Sequence, residues 1–111
     1  MYIFLKTDVN PKSKQGMTMT VTRINQFKAA AGKEKDLLSF LHSLVPYISS
    51  SEGCLSCEVL QSKDNLDDFV VLEKWLSEES HQKSVENYPK ENMQAAMALF
   101  AAPPKGGFFQ S

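Results

Sequence analysis

The sequence predicts a single α+β domain of the ferredoxin-like, split βαβ type. Three observations support this prediction: alternating apolar residues typical of strands, two segments with helical spacing, and their order along the chain, β-α-β-β-α-β. A chain of 111 residues is long enough to form one hydrophobic core. We therefore expect an antiparallel sheet with helices on one face.

The first core strand is predicted from Met17 onward, in MTMTVTRINQF. Met17, Met19 and Val21 alternate with threonines, so they share one face of the strand. If the alternation persists, Arg23 and Asn25 lie on that same, largely apolar face. A polar group there is either held by structural hydrogen bonds or serves as a donor in a pocket.

The segment before this strand is interpreted as an appendage. It holds a short apolar run, YIFL, and then NPKSKQG, whose proline and glycine indicate a turn or linker. We predict an N-terminal extension over residues 1–16 and the ferredoxin-like domain over residues 17–111.

The first helix is predicted after Gly32, with about four turns that end or bend near Pro46. Its apolar residues follow helical spacing: Leu37, Leu41, Leu44, Val45 and Ile48. Two strands, CLSCEVLQS and FVVLEKW, then flank the polar segment KDNLDD and predict a hairpin.

The second helical region begins at Ser77, a good N-cap residue followed by two glutamates. Pro89 breaks the pattern, which resumes from Met93 to Phe100, so we expect two helical pieces. A short last strand is predicted over residues 107–110.

Both faces of the FVVLEKW strand are partly apolar. Phe69, Val71 and Trp75 alternate onto one face, and Val70 and Leu72 onto the other. Since the helices cover only one face of the sheet, the second must find other cover. The simplest cover is the sheet of an identical subunit, which predicts a homodimer in the form of a dimeric α+β barrel.

The net charge of −1 provides no general attraction to nucleic acid or to an anionic membrane, so we expect neither as a partner. No apolar run approaches the ~20 residues of a membrane span, and the apolar N-terminus is too short for a signal peptide. We therefore expect a cytoplasmic protein whose partners are small molecules or protein.

The two cysteines, Cys54 and Cys57, form a C-x-x-C pattern that is found in redox and zinc sites. In a regular strand, however, residues three apart point to opposite faces with Cα atoms about 10 Å apart, too far for a disulfide. The sequence has no second Cys/His pair to complete a zinc site. We predict two reduced, packed thiols and no metal.

Residues 17–101 resemble the antibiotic biosynthesis monooxygenase domain. The resemblance rests on AAGKEKDLLSFLHSLVP, SSEGCLSCEVLQS and FVVLEKWLSEESH, and most specifically on E-G-C-x-x-x-E followed by a strand that ends in E-x-W. These motif residues are Glu52, Gly53, Cys54, Glu58, Glu73 and Trp75. The resemblance implies oxidation of a small aromatic or a quinol by O₂ without flavin, haem or metal, in a dimeric barrel.

Three residues are candidates for the site: Trp75, Asn25 and His81. Trp75, the only tryptophan, could offer its indole N–H as a donor or its face as a wall; alternatively it anchors the next helix in the core. His81 could act as a base at neutral pH; alternatively it is a surface helix residue. His42 lies beside the apolar stripe of the first helix and is expected to be exposed.

Several positions depart from subgroups of the family. Many quinol-oxidising members have a histidine where this chain has Ser84, and haem-degrading members have a tryptophan there. The haem-degrading members also have a histidine where this chain has Gln94, and only Asn25 matches a residue of theirs, an asparagine. Members acting on aromatic polyketides have asparagine and tyrosine where this chain has Val71 and His81. Haem degradation is not expected. The alternative to a cofactor-independent monooxygenase is a non-catalytic dimeric barrel that binds a small aromatic ligand or a protein partner.

Overall fold

The computed structural model describes residues 20–111. Four strands form one antiparallel sheet in the order β2-β3-β1-β4, with helices against one face, which confirms the ferredoxin-like α+β prediction. The elements are β1 (Val21–Lys28), α1 (Glu34–Ser49), β2 (Cys54–Gln61), β3 (Asp68–Trp75), α2 (Glu78–Asn87), α3 (Lys90–Ala96), a short 3₁₀ turn (Met97–Leu99) and β4 (Lys105–Phe109).

The predictions for residues 1–19 lie outside the described residues. They comprise the N-terminal extension over residues 1–16, the YIFL strand and the placement of Met17 and Met19 in the first strand. From Val21 onward the predicted strand is confirmed as β1.

The hydrophobic core lies between the sheet and α1. Leu37 and Leu41 of α1 are fully buried and pack in one cluster with Phe69 and Val71 of β3, as the helical and strand periodicities predict. Pro46 lies inside α1, which continues to Ser49. The helix therefore does not end at Pro46, because a proline this near the C-terminus removes only one hydrogen bond before the helix stops.

The predicted hairpin and the second helical region are confirmed. β2 and β3 pair across a polar loop, and the Ser77 hydroxyl accepts the Ser80 backbone N–H at 3.1 Å to cap α2. Pro89 separates α2 from α3. The last strand, β4, begins at Lys105 and ends at Phe109, so it starts before the predicted position.

The second face of the sheet carries an apolar patch. Ile24 pairs with Leu72, and Val70 pairs with Leu60, in registers that place all four side chains on the side away from the helices. Leu60 is 44% exposed, and Phe109 on β4 is 54% exposed. We call these five residues the open-face patch. In the described part of the chain, no helix is long and apolar enough to cross a membrane.

Candidate active site

A cavity of about 610 Å³ lies between the helix-facing side of the sheet, α1 and α2. Aromatic and aliphatic side chains form most of its wall, and polar groups enter from β1 and β3. All three residues predicted from the sequence line it: Asn25, Trp75 and His81. Arg23, Glu73 and Phe108 line the same part of the cavity.

Strand pairing brings the polar groups together. Arg23 of β1 is directly opposite Glu73 of β3 on one side and Phe108 of β4 on the other. Directly paired residues project to the same face of a sheet. Asn25 follows Arg23 by one alternation and Trp75 follows Glu73, so all five side chains face the helices, as the sequence predicts for Arg23 and Asn25.

Glu73 is the centre of a buried hydrogen-bond network. Its side chain is only 3% exposed. Trp75 Nε1 donates to Glu73 Oε1 at 2.8 Å, and Asn25 Nδ2 donates to Glu73 Oε2 at 3.1 Å. Each carboxylate oxygen is therefore held by one N–H group.

The network changes the role expected of Trp75. The indole has a single N–H, and Glu73 already accepts it. The expectation that this N–H is a donor for a bound ligand therefore does not hold. Trp75 instead orients Glu73 and presents its ring, which is 1% exposed, as part of the cavity wall.

Burial raises the pKa of Glu73 above the ordinary value, because a charged carboxylate loses its hydration there. The hydrogen bond from Trp75, the charge of Arg23 and the hydrogen bond from Asn25 oppose this rise, since each stabilises the ionised form. The net effect of burial makes Glu73 a stronger base than an exposed glutamate.

Arg23 is held in place by Asn25, Phe108 and Gly106. Its Nε donates to Asn25 Oδ1 at 2.9 Å, and its guanidinium carbon lies 4.7 Å from the centroid of the Phe108 ring, a cation–π arrangement. A Cβ atom at Gly106 would collide with the guanidinium group and with the Asn25 side chain. Only glycine leaves room for this position of Arg23.

His81 is buried between two aromatic rings and is not a surface residue. It is 8% exposed, and its ring meets Trp75 and Phe108 edge-on, with centroids 5.5 and 5.2 Å away. Burial, with a smaller effect of the Arg23 charge, lowers the pKa of His81 to about 4. At neutral pH the imidazole is uncharged, and its lowered pKa makes it a weaker base than an ordinary histidine.

Within residues 20–111, His81 Nδ1 is a buried nitrogen without a hydrogen-bond partner. His42, by contrast, is exposed, as predicted.

Two positions that distinguish family subgroups have structural contacts here. Ser84 is buried; its Oγ lies 2.8 Å from Ser51 Oγ, and its carbonyl accepts the Tyr47 hydroxyl at 2.6 Å. These contacts join α2 to the end of α1. Val71 is 1% exposed in the core cluster, and Gln94 is exposed.

The cysteines differ from the regular-strand prediction. An irregularity in β2 between Cys54 and Ser56 places Cys54 opposite Trp75 and Cys57 opposite Glu73, so both thiols lie on the same side of the sheet. Both are free. Burial raises the pKa of Cys57 to about 12 and also raises that of Cys54, and the charge of Glu73 acts in the same direction.

Among residues 20–111, no cluster of three or more His, Cys, Asp or Glu side chains is arranged to hold a metal ion.

Glu73 and Phe108 are site residues that the sequence pattern did not predict. Val71, Glu73 and Trp75 are two residues apart and so share one face of β3. This alternation in the sequence could have placed Glu73 beside Trp75. Phe108 lies in β4, whose two glycines leave no alternation of apolar and polar residues to indicate its inner face. Its place beside Arg23 depends on the pairing of β4 with β1.

Fold and site together define a small ferredoxin-like domain with an aromatic cavity and a buried carboxylate. Residues 20–99 match the family model described as antibiotic biosynthesis monooxygenase. The chain belongs to this family. No curated protein sequence gives a significant match.

Solved structures share the fold. PA3566 from Pseudomonas aeruginosa is 21% identical, with 86% of this chain and 96% of that chain covered and a TM-score of 0.78. SnoaB, a cofactor-independent oxygenase from Streptomyces nogalater, is 16% identical, with 83% and 92% covered and a TM-score of 0.72. A putative antibiotic biosynthesis monooxygenase from Nitrosomonas europaea is 16% identical, with 85% and 91% covered and a TM-score of 0.78.

Proposed function

We propose that this protein is a cofactor-independent monooxygenase that oxidises a small aromatic or quinol substrate with O₂. One observation carries the proposal: an apolar, aromatic cavity with a continuous chain of hydrogen bonds in its wall, from Trp75 through Glu73 and Asn25 to Arg23. Family membership over residues 20–99 supports the same reaction class.

The cavity suits a flat, largely apolar ligand. Its volume of about 610 Å³ lies within the range of about 300–1,000 Å³ that is usual for small-molecule sites. The rings of Trp75, His81 and Phe108 form an aromatic wall, against which an aromatic ligand stacks favourably.

The chemistry needs an electron-rich substrate. A quinol that loses a hydroxyl proton becomes a phenolate, which donates electrons to O₂. The overall reaction is quinol plus O₂ giving hydroxyquinone plus water, so the substrate supplies all the electrons and no added reductant is required. The guanidinium of Arg23 stabilises negative charge on the phenolate, because attraction between charges is stronger against a largely apolar wall than in bulk water.

Each predicted site residue has a role in this proposal. Trp75 and Asn25 position Glu73, and Asn25 also holds Arg23. His81 contributes a neutral ring to the wall between Trp75 and Phe108. The functional protein requires none of the flavin, haem or metal cofactors that other oxygenases use.

We also propose that a second copy of the chain covers the open-face patch. Ile24, Val70 and Leu72 occupy the two central strands, and such a row of apolar side chains favours sheet-to-sheet packing. Lys74 and Glu58 project from the same face, so a two-fold arrangement can pair opposite charges.

Oxygen consumption with a panel of benzo- and naphthohydroquinones tests the activity. In ¹⁸O₂, a monooxygenase places one labelled atom in the hydroxyquinone product, whereas spontaneous oxidation gives unlabelled quinone and hydrogen peroxide. Heat-denatured protein provides the control. Tight quinol binding without oxygen uptake above that control would contradict the proposal and favour the alternative of a non-catalytic binding protein.

A further inference from the structure

We propose that Glu73 is the proton acceptor of this site and that it selects ligands carrying a phenolic hydroxyl. The inference rests on the proposed function and adds to it a base and a substrate class. Glu73 lines the cavity, and Trp75 and Asn25 fix its two oxygens.

An ionised carboxylate can only accept hydrogen bonds, and each of its oxygens has room for about two. In the described structure, one side-chain donor occupies part of this capacity on each oxygen of Glu73. The remaining acceptor capacity is complementary to an O–H group and not to an ether or a carbonyl. A ligand that fills an apolar cavity and also brings an acidic O–H is a phenol or a quinol.

The other titratable groups near Glu73 are less suited to take the proton. The guanidinium of Arg23 has only hydrogen-bond donors and no acceptor atom. His81 carries a pKa lowered to about 4, and Cys54 and Cys57 are held as neutral thiols by their raised pKa values. None of these four accepts a phenolic proton as readily as Glu73 at neutral pH.

Four further titratable groups line the cavity: Tyr47, Glu86, Tyr88 and Lys90. The Tyr88 ring packs edge-on against the Tyr47 ring, with centroids 5.1 Å apart. The Tyr47 hydroxyl donates to the Ser84 carbonyl. Glu86 and Lys90 are exposed, so water solvates their charges. Glu73 is therefore the one carboxylate of the cavity wall, within residues 20–111, that burial makes more basic.

The proposed step moves a single proton. The O–H bond of the substrate breaks, a new O–H bond forms on a carboxylate oxygen of Glu73, and the electron pair stays on the phenolate oxygen beside Arg23. O₂ accepts electrons from this phenolate. The O₂ adds to a ring carbon as a peroxide, and Glu73 returns its proton to the outer peroxide oxygen. The O–O bond then breaks: the outer oxygen leaves as water with the hydrogen of that ring carbon, and the inner oxygen stays as the new carbonyl, so Glu73 is ionised again for the next turnover.

Ligand binding tests the contact independently of turnover. The probes are 2-naphthol and its methyl ether, which lacks the O–H, measured at pH 7.5 with wild type, Glu73→Gln and the matched control Glu52→Gln, whose glutamate is exposed. We expect the preference for naphthol to be about tenfold larger in wild type and the control than in Glu73→Gln, because a carboxylate accepts a stronger hydrogen bond than an amide. Equal preferences, or no naphthol binding to wild type, would overturn the proposal.

Turnover tests the proton transfer. With hydroquinones of increasing acidity, Glu73→Gln should lose about 100-fold or more in kcat for weakly acidic substrates. It should recover towards wild type for substrates already ionised at the assay pH. A uniform loss over the series would mean that Glu73 is only structural and would overturn its role as base.

The two proposals fail in different ways. A wild type that consumes no oxygen with any substrate, yet prefers naphthol through Glu73, would refute the monooxygenase and keep the phenol contact. If Glu73→Gln does not fold, wild type alone tests the contact. Its preference for naphthol over the methyl ether should increase as pH rises through the Glu73 pKa. A preference independent of pH between 4.5 and 8 would overturn the contact.

Discussion

The Trp75 indole N–H donates to the Glu73 carboxylate at 2.8 Å, from two residues further along the same strand. Both side chains are nearly inaccessible to solvent. Trp75 therefore orients the Glu73 carboxylate and also contributes its own ring to the cavity wall. Substitutions at Trp75 and at Glu73 should have different effects on turnover and on stability.

Trp75→Phe keeps most of the ring and removes the donor from Glu73 Oε1. Because that hydrogen bond lowers the pKa of Glu73, its loss should raise the pKa further and shift the acid limb of kcat/KM to higher pH. Quinol oxidation from pH 4.5 to 8.5, with the melting temperature as a check on folding, measures this. An unmoved acid limb with a lower melting temperature would assign Trp75 a packing role only.

Gly106→Ala should displace Arg23 from its position over Phe108, since the added Cβ collides with the guanidinium. We expect naphthol binding to weaken about tenfold through loss of the ordered cation and aromatic wall. Gly107→Ala is the matched control, because its Cβ would make only ordinary contacts with the Phe109 ring. Equal affinity of both variants would show that the placement of Arg23 is unimportant for binding.

His81→Leu should reduce the loss of stability in acid. The pKa of His81 is lowered in the folded state to about 4, so protonation favours the unfolded chain, and the stability contributed by the neutral ring is lost as pH falls from about 6.5 towards 4. Melting temperatures at pH 7.5 and 4.5 should differ less in this variant than in wild type.

The exposed His42 provides the control for that experiment. His42→Leu should leave the difference between the two melting temperatures as in wild type. If it reduces the difference as much as His81→Leu does, the burial of His81 is not the cause.

Leu72→Lys tests the proposed dimer, because it places a charge in the middle of the open-face patch. Light scattering should give about twice the 12.4 kDa chain mass for wild type, and the variant should dissociate at micromolar concentration. Leu66→Lys, in a loop where the leucine is 62% exposed, should remain dimeric. A monomeric wild type would refute the barrel.

The two cysteine thiols should react slowly with iodoacetamide at pH 8 while the protein is folded. A pKa of about 12 for Cys57 leaves only about one thiolate in ten thousand at that pH. Cys54, whose pKa is raised as well, should also be slow, and both should react fully in urea. Rapid labelling of the folded protein at both positions would contradict the burial.

Hydrophobic periodicity was sufficient to predict most of the fold. The spacing of Leu37 and Leu41 marked the buried face of α1, and Ser77 and Pro89 marked where helices begin and break. These signals are local, because each depends on the conformation of neighbouring residues. Alternation alone also placed Asn25 and Trp75 on the helix-facing side of the sheet.

Only the tertiary structure decided the contacts between strands and the burial of individual side chains. The irregularity in β2 reversed the predicted separation of Cys54 and Cys57, since a bulge depends on cross-strand pairing that periodicity does not encode. The acid–base properties of Glu73 and His81 follow from loss of hydration, and the packing of strands and helices around them determines that loss. The alternation in the sequence by itself determined that Asn25 and Trp75 face the helices. The packed structure determined that Phe108 joins them and how burial changes the proton affinity of Glu73 and His81.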